Sequence, residues 1–116
     1  MDDCIFCKIV RGEIPAGKIH EDDDILAFND IHPVAPVHFL IIPKIHLPSL
    51  AQADAGHQAV LGKMMIMAPK IALEQGCTDG FRCVVNTGRV GRQEVYHLHL
   101  HILGGPETLP TMLRRD

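Results

Sequence analysis

The sequence predicts an α+β fold, an antiparallel sheet of about five strands with two helices. Three observations carry this reading. The patterned segments come in the segregated order helix, strands, helix, strands. Val37 to Ile42 is a nearly continuous apolar run, as a buried strand requires. Tyr96 to Leu103 alternates strictly between polar and apolar residues, the period of a strand with one face covered.

Each element has its own local reason. Ile5, Phe6, Ile9 and Val10 place a short helical stripe within Cys4 to Arg11, ended by Gly12 and Pro15. Lys18 to Glu21 and Ile25 to Asp30 form a hairpin around Asp22-Asp23-Asp24, which reads as a solvated turn. Pro33 to Pro36 is a loop, and Pro43 stops the strand that follows it. Ala53 to Gln75 is the long helix, with a wide stripe of Val60, Leu61, Met64, Met65, Met67, Ala68, Ile71 and Ala72. Pro69 inside it predicts a kink or tilt. Phe81 to Thr87 is a further strand, Gly88 to Glu94 a glycine-bearing polar loop, and Val95 to Leu103 the last strand. The 116 residues make one domain, residues 1–116, with an irregular tail over 106–116.

Composition narrows the function. Hydrophobic content of 47% and charged content of 22% are those of an ordinary globular protein. A net charge of -3 offers no basic field for a nucleic acid polymer, so an anionic ligand must be caught locally. No apolar run is long enough to span a membrane, and neither a signal peptide nor a membrane partner is expected. A cytoplasmic location follows, with the four cysteines as thiols or metal ligands rather than bridges.

Eight histidines are many for this length. In a strand, residues two apart share a face. His97, His99 and His101 therefore project together, roughly 7 Å apart along the strand, while Leu98, Leu100 and Ile102 face the core. A metal chelate or a solvated edge would account for three such imidazoles. So would chemistry at phosphorus. Imidazole is partly neutral near pH 7 and forms a hydrolysable phosphohistidine. A flanking imidazole can bind phosphate oxygens and move a proton to the leaving group. His99, with a neighbour on each side, is the natural nucleophile.

His97-x-His99-x-His101 followed by Ile102-Leu103 resembles the signature of the histidine triad (HIT) superfamily. Gln93-Glu94-Val95-Tyr96 and Gly104-Gly105 are similar to its Hint branch, the nucleoside phosphoramidases. So are Ile14-Pro15, Ala27 to Ile31, Ala35 to His38 and Ile42 to Lys44. The resemblance covers most of the chain up to Pro106. It implies a hydrolase that cleaves the P–N bond of purine nucleoside phosphoramidates through a nucleotidyl-histidine on His99, with no catalytic cofactor. His101 would serve the phosphate oxygens and leaving group, and His38 would support the triad from the neighbouring strand. Asp30, which read alone is a turn acid, would take the ribose hydroxyls. Ile31, Phe6, Ile9, Phe28 and Leu40 would wall the base pocket. Asn86 and the loop Gly91, Arg92, Gln93 and Glu94 would hold the phosphate. Arg92 departs from the pattern, because a second glycine is usual there. If that position needs φ > 0, arginine is strained.

Cys4-x-x-Cys7 is half of a zinc site. A thioredoxin-like motif would need a preceding strand, and none fits before residue 4. Resemblance to HIT relatives of the uridylyltransferase branch implies that His46 and His97 complete a structural Cys₂His₂ zinc site. Cys77 reads as a surface thiol and Cys83 as a core residue. The wide methionine-rich stripe, and an edge strand over 81–87 blunted only by Arg82, predict a homodimer with a continuous sheet, as the Hint resemblance also implies. Three further readings stay open: a dinucleoside polyphosphate hydrolase, a zinc-dependent hydrolase using His99 and His101 as ligands, and a nucleotide-binding regulatory module with low turnover.

Overall fold

The computed structural model describes residues 3–113. Helix α1 (Ile5–Val10) begins at Cys4, whose Sγ accepts from the Cys7 backbone N–H, and ends before Gly12 at φ 78°. Strands β1 (Lys18–Glu21), β2 (Ile25–Asn29) and β3 (Val37–Pro43) follow in antiparallel succession. Helix α2 (Gln58–Glu74) precedes β4 (Arg82–Val84) and β5 (Leu100–Gly104), and the five strands lie in the order β1-β2-β3-β5-β4.

Alternation sorts the side chains onto two faces of this sheet. Ile25, Ala27, Phe39, Ile41, Leu100 and Ile102 face α2 and pack on Met64, Ala68, Ile71 and Ala72. Leu26, Phe28, Leu40 and Ile42 face the other way and pack on Phe6 and Ile9 of α1. Removing one such fully buried apolar side chain from water is worth about 1.5–3 kcal/mol. Leu40 pairs with His101 and His38 with Leu103, so these two histidines stand on the α1 face.

Several boundaries differ from the sequence reading. The last strand, expected over 95–103, begins only at Leu100. Ahead of it the backbone bonds elsewhere: Leu98 N–H donates to Leu47 C=O at 2.7 Å, and Val95 C=O accepts from the Gln93 side chain. The alternation survives without the ladder. Leu98 remains in the α2 core, while the Phe6 ring meets His97 and His99 at 5.9 and 5.2 Å. The strand expected over 81–87 shortens to Arg82–Val84 because β5 offers it only Leu103, Ile102 and His101 as partners. Helix α2 starts later than expected, after two 3₁₀ turns, with Asp54 accepting from Gly56 N–H at 2.8 Å, and it runs on through Pro69.

The acidic triplet is not simply solvated. Lys63 of α2 reaches Asp22 and Asp24, each at 2.9 Å, and Asp22 Oδ1 also accepts the Asp24 and Ile25 N–H groups. Partial burial works to raise the Asp22 pKa, but Lys63, these N–H groups and His20 outweigh it and hold the carboxyl well below its usual range. The two remaining cysteines reverse their expected places. Cys77 is buried, with its Sγ 2.5 Å from where a Cβ on Gly104 would stand. Cys83 is exposed, because it pairs with Ile102 on the outermost strand while α2 covers β3 and β5.

Candidate active site

The hydrogen bonds around the histidines assign their protons. Val34 N–H donates to His38 Nδ1 at 3.2 Å, so His38 carries its hydrogen on Nε2. That N–H points at His101 Nδ1, 3.0 Å away, leaving His101 with its hydrogen on Nε2. On His99, Nδ1 donates to the backbone carbonyl of His97 at 2.8 Å, so Nε2 carries the lone pair. The rings of His99 and His101 lie 5.0 Å apart. One face thus presents a lone-pair nitrogen beside an N–H donor. His101 stays neutral: burial first, then its imidazole neighbours His99 and His38, push its pKa down to about 4 against the pull of Asp30.

These rings floor a cleft of about 370 Å³ lined by Phe6, Asp30, Leu40, Asn86, Gly91, Arg92, Glu94, Val95, His99 and His101. Seven of these ten were expected at the nucleotide site and two, His99 and His101, as the catalytic histidines; the tenth, Val95, sequence reasoning passed over. Its place two residues before His97 in the alternating run already put it on the histidine face. Asp30 combines two roles. Oδ1 accepts the His32 N–H at 2.8 Å as a turn acid does, and Oδ2 lies 3.4 Å from His38 Nε2. Ile9 and Phe28 are not at the cleft surface; they are buried in the layer behind Phe6 and Leu40. Ile31 is 84% exposed and stands outside the cleft lining. His97 is fully buried and turned to the cysteines.

The loop before the histidines is shaped by backbone constraints. A Cβ on Gly91 would come within 2.5 Å of Thr87 C=O, so only glycine fits. Arg92 has φ 62°, the one left-handed non-glycine residue among those described. That conformation costs an L-residue about 1–2 kcal/mol. Gln93 is buried and its amide is fully engaged. Its oxygen accepts Gly88 N–H, and its NH₂ donates to Pro48 and Val95 carbonyls. Gln93 therefore shapes the loop from within, and Gly91, Arg92 and Glu94 are the loop residues that face the cleft.

Behind the site, Cys4, Cys7, His46 and His97 place four ligand atoms within 4.8 Å of one another. The Sγ to Nδ1 separations are 3.4 Å for Cys4–His97, 3.3 Å for Cys7–His46 and 3.5 Å for Cys7–His97. Zinc with tetrahedral thiolate and imidazole ligands sets sulfur and nitrogen about 3.6 Å apart. His97 Nε2–H donates to Pro43 C=O at 2.8 Å, which fixes the tautomer with Nδ1 free to ligate. Burial and the adjoining Cys4 push the Cys7 thiol pKa up, so a cation is what would hold it as thiolate. The donor set fits a closed structural metal site compatible with zinc. A second group, Asp30, His38 and His101, also gathers three possible ligand atoms, and His99 belongs to neither.

An antiparallel sheet thus aligns a lone-pair imidazole, a neighbouring imidazole N–H and a carboxylate in one cleft, a candidate histidine-based active site. The comparisons agree. The HIT domain family model matches residues 11–108, and the chain belongs to the HIT family. Over 106 residues it is 56% identical to Protein HitA of Neisseria gonorrhoeae, covering 91% of this chain and 99% of that one. Over 115 residues it is 45% identical to the purine nucleoside phosphoramidase of Escherichia coli K12, covering 98% and 97%. The crystal structure of a HIT family hydrolase from Legionella pneumophila superposes with a TM-score of 0.87 at 47% identity, over 90% of this chain and 95% of that one. In its general kind the protein is a HIT family hydrolase. No helix of the described residues is long and apolar enough to cross a membrane.

Proposed function

We propose that the protein hydrolyses the P–N bond of purine nucleoside phosphoramidates through a nucleotidyl intermediate on His99. The observation that carries this is the His99 tautomer. Its Nδ1–H is tied to the His97 carbonyl, which leaves Nε2 as a lone pair at the cleft floor beside the His101 N–H. The general likeness to a purine nucleoside phosphoramidase supports the choice of bond and base.

The chain's own groups suffice for both steps. Phe6 and Leu40 give the base an apolar wall, and one Asp30 carboxylate can accept from both ribose hydroxyls. His99 Nε2 attacks phosphorus, a P–N bond to His99 forms, and the bond to the substrate amine breaks. The amine leaves with a proton from His101 Nε2. The bound phosphate's negative charge opposes the burial that keeps His101 neutral in the empty cleft, and so favours the imidazolium that gives up this proton. Water then attacks phosphorus, returns a proton to His101 and frees His99. A zinc ion held by Cys4, Cys7, His46 and His97 would supply structural anchoring alone, since all four positions of a tetrahedron are taken.

We infer further that the protein works as a two-fold dimer, read from the short outer strand β4 and the exposed Met65 and Val85 that share a hollow beside it. We infer a cytoplasmic location, in which the cysteines would stay reduced.

Brief exposure to an adenosine phosphoramidate followed by mass spectrometry tests the mechanism. The wild type should carry one adenylyl group, and His99→Ala none. The variant should turn over at least about a thousandfold more slowly while AMP still binds. A variant near wild-type rate would remove His99 as nucleophile.

A further inference from the structure

The proposed reaction assigns a task to every residue on the cleft floor but none to the charges on its rim. His99 is buried, whereas Arg92 and Glu94 are exposed, and all three line the same cleft. Attack from His99 in line with the breaking bond sends the leaving group away from the floor, towards the mouth. The rim charges therefore meet the leaving group rather than the nucleotide.

Arg92 is the unusual member of this rim. It sits at φ 62° between Gly91, which cannot be replaced for want of space, and Gln93, whose amide locks the turn. A long charged residue in that backbone state is strained, and strain kept at a site points to use. Its side chain makes no ion pair or side-chain hydrogen bond among the described residues, so its charge is uncommitted. Without it the cleft would carry only the carboxylates of Asp30 and Glu94 as full charges.

We propose that Arg92 is a specificity-determining residue that favours nucleoside phosphoramidates whose leaving amine carries a negative charge, such as an amine bearing a carboxylate. The proposal rests on the phosphoramidase reading and adds the class of leaving group. The guanidinium offsets Glu94 and offers a forked donor set that matches a carboxylate. Because both groups are exposed, the preference weakens as salt is raised.

The test compares kcat/KM for three adenosine phosphoramidates at low ionic strength, with a neutral alkylamine, a carboxylate-bearing amine and a diamine as leaving groups. Arg92→Gly should lower kcat/KM for the anionic substrate by about tenfold relative to the neutral one, and raise that for the cationic substrate relative to the neutral one, whatever the change common to all three. Arg92→Lys should keep the wild-type order. Arg92→Gly should also raise Tm by a few degrees by relieving the left-handed strain, which shows that the loop has not been damaged. Equal losses on all three substrates, or an unchanged order, overturn the proposal. A wild type that turns over the neutral substrate with no charge preference sinks this proposal alone. A wild type inert towards all three removes the phosphoramidase reading and this proposal with it.

Discussion

His101 shows how a single residue ties acid chemistry to stability. Its pKa in the folded protein is near 4, against about 6.5 in the unfolded chain. The unfolded state therefore binds more protons between these values. The stability contributed by keeping His101 neutral is complete above pH 6.5 and is lost as pH falls towards 4. Replacing His101 by Asn should shrink the drop in unfolding free energy between pH 7 and pH 5, measured by urea denaturation. An equal drop in wild type and variant would show that other groups set the acid limb. The placement of His99 and His101 on one face was legible in the sequence, because alternation fixes side-chain direction. Their proton positions were not, since these depend on the Val34 N–H and the His97 carbonyl, which leave no trace in residue type. Gln93 was expected to hold the phosphate, and its role as a brace was not legible. Nothing in the chain order brings Pro48 to its amide.

The element that links chemistry to architecture is α1, which is six residues long and supplies both Phe6 to the cleft and Cys7 to the cysteine–histidine cluster. So short a helix is unstable alone and depends on tertiary ties. Cys7→Ala should lower bound zinc well below the wild-type content, lower Tm, and reduce kcat while AMP affinity changes little. Metal analysis and calorimetry on protein made with zinc supplied decide this; wild-type metal content in the variant would break the assignment. The helices and the strands β1, β2 and β3 were read from sequence to within a few residues, because their periodicity is strong. Strand β5 was drawn too long. Residues 95–99 keep a strand's alternation, yet their backbone partners are Leu47 and the Gln93 side chain rather than β4. Cys77 and Cys83 were misplaced because edge position and helix coverage are tertiary facts.

At the scale of the whole molecule, apolar surface remains where the sheet stops. Strand β4 is outermost and three residues long, and beside it Leu50, Leu61, Met64, Met65, Val85, Leu98 and Leu100 line an apolar hollow. Ile66 and Leu73 of α2 are exposed as well. A second copy related by a two-fold axis would pair β4 with its mate and cover these residues, burying on the order of 2,000 Å². Sedimentation equilibrium at micromolar concentration should give the mass of two chains. A single-chain mass that does not rise with concentration would exclude the dimer. The α+β class was legible from element order alone. That the paired histidines share the α1 face with a second buried cluster, while α2 covers the other face, emerges only once register sets His38 beside His101.

His97 is held at three points: its Nδ1 beside the cysteines, its Nε2 on Pro43, and its carbonyl on the His99 ring. Thermodynamic reciprocity follows from that arrangement. If metal occupancy steadies His99, then loading His99 with a nucleotide must steady the metal by the same coupling free energy. The rate at which a chelator strips the protein would then report, from the far side of His97, on whether His99 is free or occupied.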